Sequence, residues 1–444
     1  MKFKLRSMLA FLLSSGGAWP MMAANAEPVV EAPMVEASVV EAPMAEATLG
    51  ASVDGLLAYA RERNPEWIAM RREAEALAER AYPAGALPDP VLRVELQNVT
   101  NYGSDARPDL LPSRVGSTQY TLMQPLPFWG KLDLKRASAQ AEAEAAQGKE
   151  TLAWTEQAAL IKTNYAQYFA LSKLIRLTQD VLDLIGGIEQ IAQARYAGGL
   201  TPQQDAIRAQ VERTALRNEL IQMETERHHL RSRLNALLAR PAQAALVEPE
   251  RLRALPSEAK LDYATLARLL SEKNPQLFSD EARIRAAENT RDLTYRNRYP
   301  DFTVGIAPMQ TRNRVNEWEL MVEFNIPLQQ ESRRSQEREA EKMLDAVRAR
   351  KQASANRLLA DLSENVSGLD AARRVEGLAH NSLLPQTELT YRAALAGYEN
   401  GKVDFATLLD AQRQILKAQQ DIIKAKAEQQ ARLAEIERLI GENL

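Results

Sequence analysis

Three carboxylates, Glu317, Glu319 and Glu323, recur along the stretch "EWELMVEFNIP" at residues 317–327. Their two-residue spacing puts them on one side of an extended chain, with Trp318, Leu320, Val322, Phe324 and Ile326 on the other. Such a line of carboxylates attracts cations and has no built-in nucleophile. Further acidic candidates, Asp205 and Asp410, each follow a Tyr-x-x-Gly turn, at Tyr196 and Tyr398. The chain carries no nucleophile elbow, no phosphate loop and no metal-ligand spacing. Cysteine is absent, which removes disulfides, thiolate metal sites, cysteine nucleophiles and an N-terminal lipid-carrying cysteine. Only three histidines occur. His228 and His229 are neighbours, so on a helix they diverge and do not chelate together as an i,i+4 pair does. No catalytic, cofactor or metal site is expected.

The elements that position these groups follow from composition and pattern. The 444 residues are 45% hydrophobic, 26% charged and only 6% aromatic, with a formal net charge of −3. That balance suits Ala-rich helices and offers no basic footprint for nucleic acid. Lys2, Lys4 and Arg6, the apolar run Met8 to Leu13, and Ala24-Asn25-Ala26 occur in the order of a secretory signal peptide, residues 1–26. A duplicated "VVEAPMVEAS" and "VVEAPMAEAT" makes residues 27–51 a flexible tether. Met34 and Met44 in it are read as by-products of the duplication. No apolar run of ~18 residues follows, so no transmembrane helix is expected.

The remainder repeats itself. Asn64-Pro65 returns as Asn274-Pro275, "PLPF" at 125–128 as "NIPL" at 325–328, and the Tyr196 turn as the Tyr398 turn. The body is therefore two copies of one plan, residues 52–250 and 262–444, joined by a linker at 251–261. Each copy has helices, a hairpin (89–125 or 300–327), a very long helix and a closing helix. The long helices are expected at Lys131–Tyr196, with a bend at Gly186-Gly187, and from Glu331 to Tyr398; the closing helices are expected at 203–239 and 404–440. A first-half helix of that length spans on the order of 100 Å. Leu408, Ile415 and Ile422, with Leu416 and Ile423 beside them, read as a coiled-coil seam.

Four strands are expected: 91–99, 117–125, 301–308 and 317–327. Leu92, Val94 and Leu96 oppose Arg93, Glu95 and Gln97; Phe302, Val304 and Ile306 oppose Thr303, Gly305 and Ala307. Four strands close no barrel, and hydrocarbon tolerates no open sheet edge. Either the sheet packs on soluble helices or several chains share one barrel, and a lumen favours three. In a barrel, Arg93, Glu95, Glu317, Glu319 and Glu323 face the lumen. Leu92, Val94, Leu96, Phe302, Val304, Ile306, Trp318, Leu320, Val322 and Phe324 then face lipid. Phe128, Trp129 and Tyr299 suit an interfacial aromatic girdle.

Residues 52–441 resemble the TolC-like outer-membrane efflux family. The resemblance rests on the duplication and on "GALPDP" (85–90), "QPLPFWGK" (124–131), "YAGGLTPQQD" (196–205) and "YENGKVDFATLLDAQ" (398–412). It implies a mainly α fold with a small β part: a long α-helical coiled-coil barrel through the periplasm plus four membrane strands per chain, which form a shared 12-stranded β-barrel in a homotrimer. It implies the outer membrane as location, and a passive exit duct without cofactor as activity. A periplasmic adaptor protein and an inner-membrane resistance-nodulation-division pump are the implied partners, beside outer-membrane lipid. "GALPDP" with "PFWGK" looks most like the heavy-metal branch; the alternatives are a duct for drugs or organic solutes, type I protein secretion, or a periplasmic coiled-coil scaffold. The resemblance also places Asp410, Asp205 and Tyr398 at a periplasmic aperture, with Tyr398 as a latch between helices. Val403 stands where the latch expects a basic residue, with Lys402 adjacent.

Overall fold

A computed structural model describes residues 49–99, 110–112, 115–311 and 314–444. The signal peptide, most of the tether and the centre of the loop at 98–114 lie outside the described residues. The first copy runs α1 (Val53–Arg63), α2 (Pro65–Glu79), α3 (Ala81–Ala84), β1 (Val91–Gln97), β2 (Ser117–Leu126), α4 (Lys131–Ala197) and α5 (Gln203–Leu237). The second runs α6 (Tyr263–Lys273), α7 (Pro275–Arg296), β3 (Phe302–Thr311), β4 (Arg314–Phe324), α8 (Gln330–Leu378), α9 (Leu384–Glu399) and α10 (Phe405–Ile440).

Each Asn-Pro pair starts a helix for a visible reason. Proline at the first helical position lacks only a donor that would go unused. Asn64 Oδ1 accepts from the Glu66 and Trp67 amides at 2.9 and 3.1 Å. Asn274 Oδ1 accepts from Leu277 N at 2.9 Å. The other end of each amide reaches the last turn of its own closing helix. Asn64 Nδ2 donates to Leu237 O at 2.8 Å, and Asn274 Nδ2 donates to Leu439 O at 2.7 Å. One buried amide thus satisfies orphan groups at a helix start and a helix end together.

Around these clamps sit two matching apolar clusters. Leu56 and Ala60 of α1, Ile161, Tyr165 and Tyr168 of α4, and Leu230 and Leu234 of α5 form the first. Leu266 and Leu270 of α6, Leu362 and Leu369 of α8, and Leu433, Ile436 and Leu439 of α10 form the second. An ion pair joins the copies: Lys162 Nζ and Glu437 Oε2 lie 2.7 Å apart, and both side chains are almost fully buried. Arg253 Nη2 and the Leu444 amide also donate to Glu437, at 2.6 and 2.9 Å. Three donors on one carboxylate offset its desolvation.

The boundaries differ from the pattern in instructive places. Leu49, expected in the tether, is buried against the first cluster, and its carbonyl accepts from Val247 N at 2.9 Å, so it belongs to the packed body. β1 stops at Gln97 because Asn98 takes a left-handed φ of 53°. Gly186-Gly187 does not interrupt α4, which is one 67-residue helix; a Cβ at either glycine would meet nothing within 4 Å. The interruption falls in the second copy instead, as a π-helical turn over Ala379–Leu383 ahead of Pro385. On α10 Leu408 and Leu416 of the expected seam are buried, with Leu409 and the small or polar Ala418, Ala425 and Gln429, while Ile415, Ile422 and Ile423 are only half-buried. Ala-rich contacts let helices approach closely, so large apolar residues mark only part of the seam.

Asn274→Ala removes a helix cap and leaves the Leu439 carbonyl without that donor. It is expected to cost about 1–3 kcal/mol. Asn400→Ala, whose amide bonds only an exposed Ala396 carbonyl, is expected to cost less than about 0.5 kcal/mol. Thermal unfolding of the two purified variants in detergent measures the difference; equal midpoints would remove the clamp.

Candidate functional site

The four strands form one antiparallel sheet in the order β1-β2-β3-β4. Register decides which side chains share a face. Leu92 pairs with Leu122, Leu122 with Ile306, and Ile306 with Leu320. Val304 lies between Gln124 and Val322, Phe302 between Leu126 and Phe324, and Val94 and Leu96 pair with Tyr120 and Thr118. The ten residues expected to face lipid therefore share one side, with Trp318 opposite Pro308. Leu320 is 77% and Trp318 68% exposed, whereas Leu96, Phe302 and Val304 are half-covered by neighbours.

The opposite face carries Arg93, Glu95, Glu317, Glu319 and Glu323. Glu95 pairs with Gln119, Gln119 with Met309, and Met309 with Glu317. Gln119 Nε2 donates to Glu319 Oε2 at 2.8 Å, and Arg93 lies 3.6 Å from Glu95. At the centre of this polar face Ala307 is 2% and Thr121 6% exposed. Side chains crowd together on the polar side and splay apart on the apolar side, as on a sheet curled with its polar face inward. No residue of the sheet belongs to the four apolar clusters of the described residues. Among the described residues most of the apolar face is exposed; Trp129 covers Phe302, and Thr118 and Gln124 bond to the Pro112 and Pro88 carbonyls at its ends. A bulge at Met309/Gln310 continues β4 back to Arg314 but shifts its register, which is why the alternation in the sequence starts only at Glu317.

Where strands meet helices, aromatic rings gather. Phe128 stacks on Tyr299 with centroids 4.5 Å apart, and Trp129 touches Phe302 at 5.5 Å. Lys131, almost fully buried, donates to Asp301 Oδ1 at 2.8 Å and to Tyr299 O at 2.9 Å. The Phe128 amide also donates to Asp301 Oδ1. Burial opposes ionisation of Asp301, but the Lys131 ammonium and the Phe128 amide outweigh it and hold the carboxyl below its ordinary range. The pair ties the first copy's strand-to-helix junction to the second copy's. It was missed in the sequence, where nothing links two residues so far apart.

The distal ends of the long helices repeat one turn. The Leu200 amide donates to Arg195 O and the Lys402 amide to Gly397 O, each at 2.8 Å, and Gly199 and Gly401 take φ of 70° and 67°. These are Schellman caps, which need a left-handed residue, hence the glycine of Tyr-x-x-Gly. The two tyrosines part company: Tyr196 is 45% exposed and Tyr398 only 4%. Tyr398 packs on Phe405 at 5.4 Å, with the Arg195 guanidinium 5.1 Å above its ring. Its hydroxyl has no hydrogen-bond partner. Arg195 Nη1 also donates to Glu399 O at 3.2 Å. Val403, lacking the expected positive charge, lies against Gly397, so the cation at Tyr398 comes from the other copy.

Asp205 joins this group. Burial pushes its carboxyl up, Arg208 opposes that, and the Asp404 charge adds to it. Asp404 caps α10, accepting from Thr407 N at 3.0 Å, and its carboxyl is lowered by the Thr407 hydroxyl and amide. Asp410 stands apart: its side chain is 67% exposed and 3.5 Å from Arg413, whose guanidinium also pairs with Glu212. The structure thus brings Asp205 and Tyr398 together and sets Asp410 on the surface of the same end. His228 and His229 have ring centroids 6.4 Å apart, and His228 Nδ1 lies 3.0 Å from Arg231. Among the described residues no group of three or more His, Cys, Asp or Glu could hold a metal, and no helix is long and apolar enough to cross a membrane.

Known proteins share this arrangement. The family described as "Outer membrane efflux protein" matches residues 56–240 and 266–442, the two copies. The cobalt-zinc-cadmium resistance protein CzcC of Cupriavidus metallidurans is 23% identical over 397 residues, which cover 88% of this chain and 90% of that one. Among solved structures, CusC superposes with a TM-score of 0.76 at 14% identity, covering 88% of this chain and 92% of its own. VceC of Vibrio cholerae gives 0.75 at 16%, covering 88% and 96%. The fold is that of TolC-like channels, mainly helical with a small strand part, and its place is the outer membrane with extension into the periplasm. This chain belongs to the outer membrane efflux protein family.

Proposed function

We propose that this protein is the exit duct of a tripartite export system for heavy-metal cations. The observation that carries the duct is the sheet, with a largely exposed apolar face behind a polar, carboxylate-bearing one, set at the end of a 67-residue helix. Three copies share a 12-stranded barrel, so that each open edge meets a neighbour and no backbone group is left unpaired in hydrocarbon. A periplasmic adaptor and a proton-driven inner-membrane pump of the resistance-nodulation-division class complete the assembly. The duct is passive, and its acidic inner face attracts cations without tight ligation. The likeness to CzcC, together with "GALPDP" and "PFWGK", supports metal cations as cargo.

Deleting the gene is expected to sensitise cells to zinc, cobalt, cadmium, copper or silver, scored as minimal inhibitory concentrations. Sensitivity confined to dyes and detergents would replace this cargo with organic solutes.

The face assignment has its own test. Val322→Arg, on the apolar face, is expected to cost about 2–4 kcal/mol near the bilayer midplane. Glu323→Arg, one residue on, faces water and is expected to be far milder. Unfolding titrations in lipid bilayers compare them, and equal losses would reverse the faces.

At the aperture, threefold symmetry gathers three exposed Asp410 carboxylates around one axis. Converging like charges repel, yet together they focus the field and draw in cations. Asp410→Ala is expected to weaken both cation selectivity and block by trivalent cations in single-channel recordings. Asp205→Ala, whose carboxylate is tucked beside Tyr398, is expected to do less. Unchanged selectivity and block in Asp410→Ala would make that residue an ordinary surface charge.

A further inference from the structure

The polar face of the sheet holds two groups that its carboxylates do not explain. Register sets Met123, Gly305 and Met321 side by side on β2, β3 and β4. They lie on the face of Glu317, Glu319 and Glu323. Gly305 has no side chain, and the two thioether chains converge over it. A Cβ built there would lie 3.1 Å from Met321 Cε and 3.2 Å from Met123 Cγ, each bonded directly to its sulfur. Met123 is 7% exposed and Met321 is half-buried. Glu319 and Glu323 flank Met321 on its own strand, two residues to either side on the same face.

Packing alone does not account for this pair. None of the apolar clusters of the described residues includes either methionine. The neighbours on that face are Val91, which pairs with Met123, then Arg93, Thr121, Pro125, Thr303, Ala307 and the carboxylates. Two flexible thioethers brought together by a glycine between them, beside Glu319 and Glu323, make a soft-donor pair. Carboxylate oxygens attract any cation, and harder divalent ions gain nothing further from sulfur. Thioethers select soft d10 monovalent ions.

We infer that Met123 and Met321 form a transit site for soft monovalent cations, of the copper(I) and silver(I) class, on the inner face of the barrel. This inference rests on the export reading and narrows its cargo. With two thioethers per chain and no thiolate or imidazole, the site holds its ion loosely and releases it outward, as conduction requires. Gly305 is part of the site, because a side chain there would part the sulfurs.

The test uses the full-length protein purified in detergent, with silver(I) in chloride-free buffer and equilibrium dialysis. Met123→Leu/Met321→Leu keeps volume and apolarity, so folding is expected to survive. The parent is expected to retain a silver ion per chain that the double variant loses. Met309→Leu lies on the same face, about 13 Å further along β3 at ~3.3 Å per residue, and is expected to match the parent. Zinc(II) retention is expected to be the same in all three. Equal silver retention in parent and double variant, or none in the parent, overturns the site. If the double variant does not fold, Gly305→Ala serves in its place with the same two outcomes. The export reading fails separately: a deletion strain as metal-resistant as its parent would remove the duct's cargo and leave the silver result standing.

Discussion

A strand in hydrocarbon must spend every backbone hydrogen bond on another strand, because no water is there to take the remainder. In this chain β1 and β4 each have one strand neighbour. Everything else follows from the need to complete those edges. In the proposed barrel, lipid covers the exposed part of the apolar face. The polar face can be the concave one because small residues, Thr121, Gly305 and Ala307, lie at its centre. The long helices begin directly below the strands, so the orientation of each hairpin sets the direction of about 100 Å of helix. The Lys131–Asp301 pair fixes that direction. It sits where β2 hands over to α4 and where α7 hands over to β3, so neither hairpin tilts without the other.

Duplication solves the energetics of so extended a shape. A helix of 67 residues is too thin to own a core. Each copy instead concentrates apolar residues near one Asn-Pro clamp, and Lys162–Glu437 bridges the two copies. The remaining length is held by narrow Ala-rich contacts, which stabilise little per residue but accumulate along the helices. At the far end Val181, Ile185, Ala209, Leu216, Phe405 and Leu408 make a third apolar cluster. A duct needs this distribution: rigidity where strands meet helices and where the copies join, and a smaller knot at the tip.

The sequence revealed whatever is periodic or repeated. Alternation at 317–327 marked β4, and the doubled Tyr-x-x-Gly and Asn-Pro marked caps at both ends of the helices. The capping of α2 and α7 was legible in the Asn-Pro pairs themselves. Their second bonds, to Leu237 and Leu439, were not, although a motif returning in both copies was the signal that could have found them. Lys131–Asp301 and Lys162–Glu437 join residues separated by 170 and 275 positions; a single sequence gives no sign of such pairs. The β-bulge hid the start of β4, because shifted register breaks the alternation on which the reading depended. The methionine row was hidden for a similar reason. Met123 and Met321 meet only through a strand of the other copy's hairpin, and the residue that lets them meet is a glycine without side chain.

The tip shows how a duplication becomes an asymmetric device. Both copies end their long helix with the same Schellman cap, so the backbone there is nearly equivalent. The residue that opens the next helix is not. α10 opens on Phe405, and α5 on Gln203. A ring beside the second tyrosine buries it, and Arg195 crosses from the first copy to cover its face. The first tyrosine has no such ring and stays in solvent. Charges diverge in the same way: Asp410 occupies the position that Arg208 has in the first copy, and Asp205 the position of Thr407. One helix pair therefore carries a buried tyrosine and an outward carboxylate, and the other a solvent-facing tyrosine and a tucked carboxylate. In the proposed trimer, where the second copy's pair is repeated around a symmetry axis, a single substitution in that copy changes the charge at the tip, while the helix ends keep their caps.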